Sequence, residues 1–414
     1  MSILHGNAVV GQSGGPTSAI NATLAGVIRG ALAAKAEGAI STLYGMRYGI
    51  EGCLCENFID LTARFENNAD DLDALALTPA AALGSCRKKL KPYESDRATY
   101  ERLFEVFKKY DIRYFFYIGG NDSMDTVYKL SEYAKICDYE IRVVGVPKTV
   151  DNDLMATDHT PGFGSAAKFV ATTVKEILRD VSVYTVKAVT VVEIMGRDAG
   201  WLTASSALPV LSGGVSADLV YLPEVPFSPE KFIEDVRALH EKKDAVLVCI
   251  SEGARFADGR YVGEGTQSGA VDVFGHKYLA GAGKVLEDLV KAEIGCKVRS
   301  IELSLPQRCA AHIASKTDID ESLAVGESAV RSAMDGNTAI MMTFVRTSDA
   351  PYTVEIGTEE IKNIANAVRK VPREYINEEG NNITEQGLAY LLPLICGEVA
   401  PAYENGMPKH IVFE

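Results

Sequence analysis

Between Val146 and Asp153 the chain reads Val-Pro-Lys-Thr-Val-Asp-Asn-Asp. One cation, one hydroxyl and two carboxylates are crowded into a single stretch. Lys148 can sit against a phosphate, and Asp151 can take a proton from a hydroxyl. Asp153 can hold a hard cation such as Mg²⁺, which prefers oxygen ligands. Those are parts that phosphoryl transfer needs. A plain polar turn with an Asx hydrogen bond at Asn152 would use the same residue types. The surroundings decide between the two.

The apolar run Ile141 to Val146 reads as a buried parallel strand, stopped by Pro147, which has no N–H for a ladder. The loop therefore sits at a strand's carboxyl end, where open α/β sheets bind ligands. The same arrangement recurs. A strand over Asn7 to Val10 runs into Gly11 to Ser18, with Gly14 and Gly15 at its centre, and then a helix from Ala19 to Lys35. Glycines let the backbone approach a ligand, and a helix N-terminus offers free N–H groups to an anion. This loop is neither the P-loop nor the dinucleotide fingerprint. Tyr114 to Ile118 is a strand ending in Gly119-Gly120-Asn121-Asp122-Ser123, with a helix from about Ser123. Asp122 serves there as an N-cap or as a site carboxylate. Arg87, Lys88 and Lys89 follow Gly84-Ser85 and either grip phosphate or face solvent.

The second half repeats the pattern. Strand Ala188 to Ile194 ends in Met195-Gly196-Arg197, and Arg197 offers a bidentate phosphate contact or a salt bridge to Asp198. Strand Ala245 to Ile250 ends in Ser251-Glu252-Gly253, where Glu252 can accept from sugar hydroxyls. Strand Val298 to Leu303 carries Arg299, and Leu305-Pro306-Gln307-Arg308 opens the next helix. Alternating βαβα order without an all-β block predicts a layered α/β protein with mostly parallel sheets. Two sheets whose carboxyl ends face one cleft would gather these clusters at a domain interface.

Four further segments are expected as follows: Asn67 to Asp73 a solvated acidic stretch, Asp258 to Gly275 a loop or hairpin, Thr338 to Val345 a strand, and Glu359 to Val371 a helix. A helix is also expected over Lys277 to Glu293, and a helical appendage after Pro372.

At 414 residues with 47% hydrophobic content, two or more domains are expected. The net charge of −14 argues against a nucleic-acid partner. It requires any anion site to gather its own cations. Eight cysteines without a C-x-x-C pair read as reduced thiols of a cytosolic protein. No signal peptide and no bilayer-spanning run is expected, so no membrane partner is expected either.

Six segments in one order resemble the 6-phosphofructokinase family: Ser13-Gly14-Gly15, Gly119 to Ser123, Pro147 to Asp153, Met195-Gly196-Arg197, Ser251-Glu252-Gly253 and Pro306-Gln307-Arg308. The resemblance also indicates a branch. ATP-using members carry glycine at the positions of Asp122 and Lys148, and the Asp-plus-Lys combination is similar to the pyrophosphate-dependent members. Val371 to Asn377 and Pro393 to Glu398 resemble a subgroup of that branch.

The resemblance implies two Rossmann-like domains facing one cleft. Residues 1–162 with 307–357 would bind pyrophosphate and Mg²⁺, and 163–306 would bind fructose 6-phosphate. Residues 358–414 would form a helical extension. It implies Asp151 as general base, with Lys148 and Asp122 completing the catalytic set. Gly14, Gly15, Arg87 and Lys148 would hold pyrophosphate. Thr149, Met195, Gly196, Arg197, Glu252, Arg299, Leu305 and Arg308 would hold the sugar phosphate, with Arg299 from a neighbouring subunit of a homodimer or homotetramer. Asn121 and Asp153 would serve Mg²⁺.

Three positions depart from the family pattern. Asn121 replaces an aspartate, Leu305 replaces a polar or aromatic phosphate ligand, and Ala188 falls where many members place a subunit-bridging arginine. Rival readings are the same reaction with ATP, a non-catalytic regulatory subunit, and a lipid or dinucleotide kinase. Asp122 with Lys148 speaks against the first, Asp151 against the second, and the Met195, Gly196, Arg197 and Glu252 set against the third.

Overall fold

A computed structural model describes residues 3–264, 281–364 and 368–413. Two sheets carry the architecture. The larger takes β1 (Gly6–Gln12), β2 (Ile40–Met46), β3 (Phe58–Asp60), β4 (Ile112–Gly119) and β5 (Arg142–Pro147) from the first part of the chain. The smaller takes β6 (Ala188–Ile194), β7 (Leu219–Tyr221), β8 (Ala245–Ser251) and β9 (Lys297–Glu302). The chain then returns to the larger sheet with β10 (Ile340–Asp349) and β11 (Tyr352–Glu360), and ends in a small hairpin of β12 (Tyr403–Glu404) and β13 (Met407–Pro408).

The larger sheet has the order β11-β10-β5-β4-β1-β2-β3, and the smaller β7-β8-β6-β9. All pairings in the smaller sheet are parallel, and only the edge strands β3 and β11 run antiparallel in the larger. The central strands are apolar on both faces because helices cover both. In β4, Tyr114 through Ile118 are at most 1% exposed. Strand order reverses between β1 and β4, so the loops after them diverge and open a crevice at their carboxyl ends.

Several elements differ from the sequence expectations. Pro147 is the last residue of β5, paired with Gly119, rather than lying beyond it. Asn68 caps a short helix, Ala69–Ala76, through the expected acidic loop: Asp70 and Asp71 occupy its first turn, where carboxylates are favoured. Instead of a helix from Glu359, β11 continues through Glu360, and a single 3₁₀ turn follows at Ile361–Asn363. The half-exposed, alternating face of this edge strand is too polar to signal a buried strand. The helix expected from Lys277 is described from Ala282 to Glu293; 277–280 of that segment, 265–275 of the expected loop and 365–367 of the helix expected from Glu359 lie outside the described residues.

Among the described residues the C-terminal extension has one α-helix, Glu385–Leu391, between 3₁₀ turns. It is no loose appendage. Ile376, Ile383, Leu388, Tyr390, Leu391 and Leu394 pack into the same apolar cluster as Trp201 and the helix Phe163–Val181. An electrostatic tie joins two other distant segments. Asp318, on the helix Lys316–Met334, accepts from the N–H groups of Gly162 and Ser165 at 2.9 Å each. It thereby caps a helix more than a hundred residues earlier in the chain. No described helix is long and apolar enough to cross a membrane.

Candidate active site

The loops at the strand ends converge on a cleft of about 490 Å³. Its first wall is the turn after β1. Gly14 takes φ +79°, a left-handed conformation that disfavours a side chain. A Cβ at Gly14 would lie 3.3 Å from Lys148 Nζ, and one at Gly15 would lie 3.3 Å from an Arg308 guanidinium nitrogen. Glycine thus lets two cations close on the backbone. The turn is braced by the segment that carries Arg87 and Lys89. Gly14 N–H donates to the Cys86 carbonyl at 3.1 Å, and Ser85 Oγ donates to the Gly14 carbonyl at 2.5 Å.

The second wall is the N-terminus of the helix Asn121–Ile136, which follows β4 and presents Gly120, Asn121, Asp122 and Ser123 to the cleft. Asn121 Nδ2 lies 3.4 Å from Asp153 Oδ2, while its buried Oδ1 has no hydrogen-bond partner among the described residues. Asp122 pairs with Lys89 at 3.0 Å.

The loop after β5 forms the floor. Lys148 is 3% exposed, and its Nζ donates to the Gly15 carbonyl at 2.7 Å. Burial pulls its ammonium down to about 8, against the opposing pull of Asp151 and Asp153. Asn152 turns inward at φ +54° and is fully buried, its Nδ2 donating to Tyr390 Oη at 3.1 Å. That turn aims its two neighbours, Asp151 and Asp153, into the cleft. Desolvation raises the Asp151 carboxyl although Arg197 and Lys148 oppose it. Desolvation, with the nearby charge of Asp151, pushes Asp153 up to about 7. Thr149 Oγ1 accepts from Asp151 N–H at 3.1 Å.

The facing wall comes from the smaller sheet. Met195 and Arg197 after β6 and Glu252 after β8 line the cleft with Arg308. Gly196 stands behind them, its N–H donating to Glu252 at 3.2 Å. Burial pushes Glu252 up to about 7. Asp198 pairs with Arg255 at 3.0 Å rather than with Arg197, whose Nε is buried without a partner among the described residues. Met195 N–H is held by the buried Gln307 side chain at 3.1 Å.

Thirteen positions named from the sequence thus line one cleft, Gly14, Gly15, Arg87, Asn121, Asp122, Lys148, Thr149, Asp151, Asp153, Met195, Arg197, Glu252 and Arg308, and a fourteenth, Gly196, stands behind them bonded to Glu252. Two do not. Arg299 lies on the edge strand β9 and faces a separate groove beside Tyr184, Val186 and Lys297, because β9 leaves one side of the sheet open. Leu305 is 55% exposed, outside the cleft. Asp122 and Lys148 share the cleft, but their direct partners are Lys89 and the Gly15 carbonyl rather than each other. Lys89 and Asp198 are additions. Lys89 belonged to a basic run visible in the sequence, whereas Asp198 was marked there only as a salt-bridge partner for Arg197.

Behind the loop after β5 lies a buried polar network without a sequence signature. The Asp153 carbonyl accepts from Arg369 N–H at 2.8 Å, and Tyr390 Oη donates to the Asp158 carbonyl at 2.7 Å. His159, 3% exposed, bridges Asp158 at 2.8 Å and Glu321 at 2.6 Å. Burial lowers its basicity, but the two carboxylates outweigh this and leave it raised above its ordinary value of 6.5. A His raised in the folded state stabilises fully below its unfolded pKa, and this contribution is lost as pH rises through the folded value. Replacing His159 with glutamine should therefore cost about 3–5 kcal/mol at pH 6, as expected for removing one partner of a buried ion pair. The deficit should shrink at alkaline pH. Urea unfolding of both proteins across that range checks it, and a deficit that does not vary with pH rejects a charged His159.

Residues 7–331 match the phosphofructokinase family. The chain is 44% identical over 407 residues to the pyrophosphate–fructose 6-phosphate 1-phosphotransferase of Methylococcus capsulatus, covering 98% of this chain and 95% of that one. It is 42% identical over 405 residues to the enzyme of the same name from Halomonas elongata, covering 97% and 95%. It superposes on the crystal structure of a pyrophosphate-dependent phosphofructokinase from Nitrosospira multiformis with a TM-score of 0.87 at 40% identity, covering 98% and 96%.

Proposed function

The chain belongs to the phosphofructokinase family, and on that premise we propose that its cleft moves a phosphoryl group reversibly between pyrophosphate and the 1-hydroxyl of fructose 6-phosphate. The products are fructose 1,6-bisphosphate and phosphate. The relatives named above carry this activity in their names over nearly the full length of the chain. The observation that carries the donor assignment is Lys148, a buried cation bonded to the glycine turn, in the same cleft as a carboxylate at Asp122.

The steps follow from the side chains. Asp151 takes the proton of the sugar 1-hydroxyl, and that oxygen attacks the near phosphorus of pyrophosphate. The bridging P–O bond breaks and phosphate leaves. The raised basicity of Asp151 suits it to accept a proton. Lys148 stabilises the charge on the transferred group from a desolvated, fixed position. Gly14 and Gly15 let the donor approach the backbone, and Arg87 supplies charge at its rim. Thr149, Met195, Gly196, Arg197 and Glu252 orient the sugar. Arg308, with Arg299 from a neighbouring subunit, binds its 6-phosphate, and the chain acts as a homo-oligomer. Leu305 contributes no side-chain hydrogen bond to that phosphate.

The residues at the head of the crevice fit Mg²⁺. Asn121 has a buried side-chain oxygen with no partner among the described residues, its Nδ2 lies 3.4 Å from the Asp153 carboxylate, and Mg²⁺ is usually bound through one or two carboxylates while keeping several waters. When bound, the ion would neutralise charge on the phosphoryl oxygens. The site chemistry and the charge balance fit a cytoplasmic glycolytic enzyme.

Assays with pyrophosphate and with ATP at matched Mg²⁺ test the reading. Turnover is expected with pyrophosphate, in both directions, and not with ATP. Activity with ATP alone rejects it. Asp122→Gly combined with Lys148→Gly should lower the preference for pyrophosphate over ATP by about 10²-fold or more, since one change removes a carboxylate obstruction and the other a phosphate-binding cation. An unaltered donor ratio rejects this account of selectivity.

A further inference from the structure

Asp122 poses a difficulty for the reaction just proposed. A carboxylate at the donor end of the cleft hinders a nucleotide, but its charge also repels pyrophosphate. The structure contains an answer. Lys89 Nζ lies 3.0 Å from Asp122 Oδ1, and both side chains line the cleft while remaining part-exposed, at 53% and 38%.

The backbone on either side of Lys89 is fastened. Upstream, Cys86 is bridged to Ser13, and its carbonyl accepts from Gly14 N–H at 3.1 Å. Downstream, Leu90 is 1% exposed, and its carbonyl accepts from Lys129 Nζ at 2.7 Å. Lys129 belongs to the helix Asn121–Ile136 that bears Asp122 and is itself paired with Asp125 at 2.6 Å. The Lys89 backbone is therefore anchored to the glycine turn on one side and to the Asp122 helix on the other. Its side chain needs no large rearrangement to meet Asp122.

We propose that Lys89 is a positioning residue for donor choice: by pairing with Asp122 it cancels that carboxylate's charge toward bare pyrophosphate and leaves its bulk as the barrier to a nucleotide. This deepens the pyrophosphate reading and rests on it. The division of labour is physical. Charge acts on any phosphate donor, whereas bulk acts only on a donor that extends past Asp122. A paired carboxylate keeps the second property and loses most of the first.

The test compares Lys89→Met, Asp122→Asn and the double variant for steady-state kinetics with pyrophosphate, and for binding of methylenediphosphonate, a non-transferable analogue. Lys89→Met unmasks the carboxylate and should raise KM for pyrophosphate and weaken analogue binding by about 10-fold, with a much smaller change in kcat. Adding Asp122→Asn should recover most of the lost analogue binding, because no charge is left to mask; kcat is read only for Lys89→Met, since Asp122 belongs to the proposed catalytic set. If the double variant stays as weak as Lys89→Met, Lys89 acts by touching the donor itself and the proposal is overturned. Unchanged KM and analogue binding in Lys89→Met overturn it as well. A wild-type protein that does not turn over pyrophosphate rejects the underlying reading instead, so the two failures are told apart in one experiment. Thermal melting checks that the variants fold, as expected for an exposed side chain.

Discussion

Asp151→Asn should lower kcat in the forward direction by about 10²–10⁴-fold, the range that a positioned general base contributes. Asparagine keeps the size and polarity of the side chain but cannot take the proton from the sugar hydroxyl. The substitution should leave the backbone of the loop in place. Asp151 faces the cleft, and its backbone N–H is held by Thr149, so the loop should keep its shape. KM for fructose 6-phosphate should change by far less than kcat, since proton removal matters in the transition state and not in ground-state binding. The variant should also be at least as stable as the wild type. Desolvation raises this carboxyl, so the folded protein bears a cost in keeping it ionised, and a neutral amide relieves that cost. Loss of turnover with gained or unchanged thermal stability is therefore the expected pair of results. A kcat within 10-fold of wild type would mean that another group removes the proton.

Lys148→Met should lower kcat by about 10²–10³-fold, comparable to removing one preorganised donor from a charge-stabilising site. Methionine fills similar space, so the glycine turn should persist without the bond from Nζ to the Gly15 carbonyl. A pH signature goes with the loss. Burial brings the Lys148 ammonium down to about 8, so in the free enzyme it loses its proton within an accessible range. In the proposed mechanism the charged form is the one that binds donor. In the wild type, kcat/KM for pyrophosphate should fall as pH rises through about 8. The kcat profile should stay flat to higher pH, because bound pyrophosphate favours the charged form. Lys148→Met should lose the alkaline limb of kcat/KM. If that limb survives the substitution unchanged, it belongs to another group, and Lys148 is not the titrating cation.

Both predictions concern side chains that the linear order already brought together. Lys148, Thr149, Asp151 and Asp153 lie within six residues at a strand end, and a strand end in a parallel sheet is a ligand position whatever the rest of the fold. The same holds for Gly14 and Gly15 and for Asp122, each one loop beyond an apolar run. Local patterning determined the α/β class, the cleft-facing clusters and their chemistry, because apolar strands, glycine turns and helix starts are encoded over short stretches. Edge strands were harder. β11 alternates without a continuous apolar signal, and its polar face reads as helix or loop until β10 is known to lie beside it.

What the tertiary structure alone decided were the pairings. Lys89 meets Asp122 across thirty residues, Asp318 caps a helix from another part of the chain, and Tyr390 and Arg369 of the tail hold the loop around Asn152 and Asp153. It also decided that Arg299 faces away from this chain's own cleft. The reason is that a charged side chain carries no mark of its partner. Residue type states that a charge must be compensated or solvated, while which group compensates it depends on how the two sheets, the helices and the tail pack.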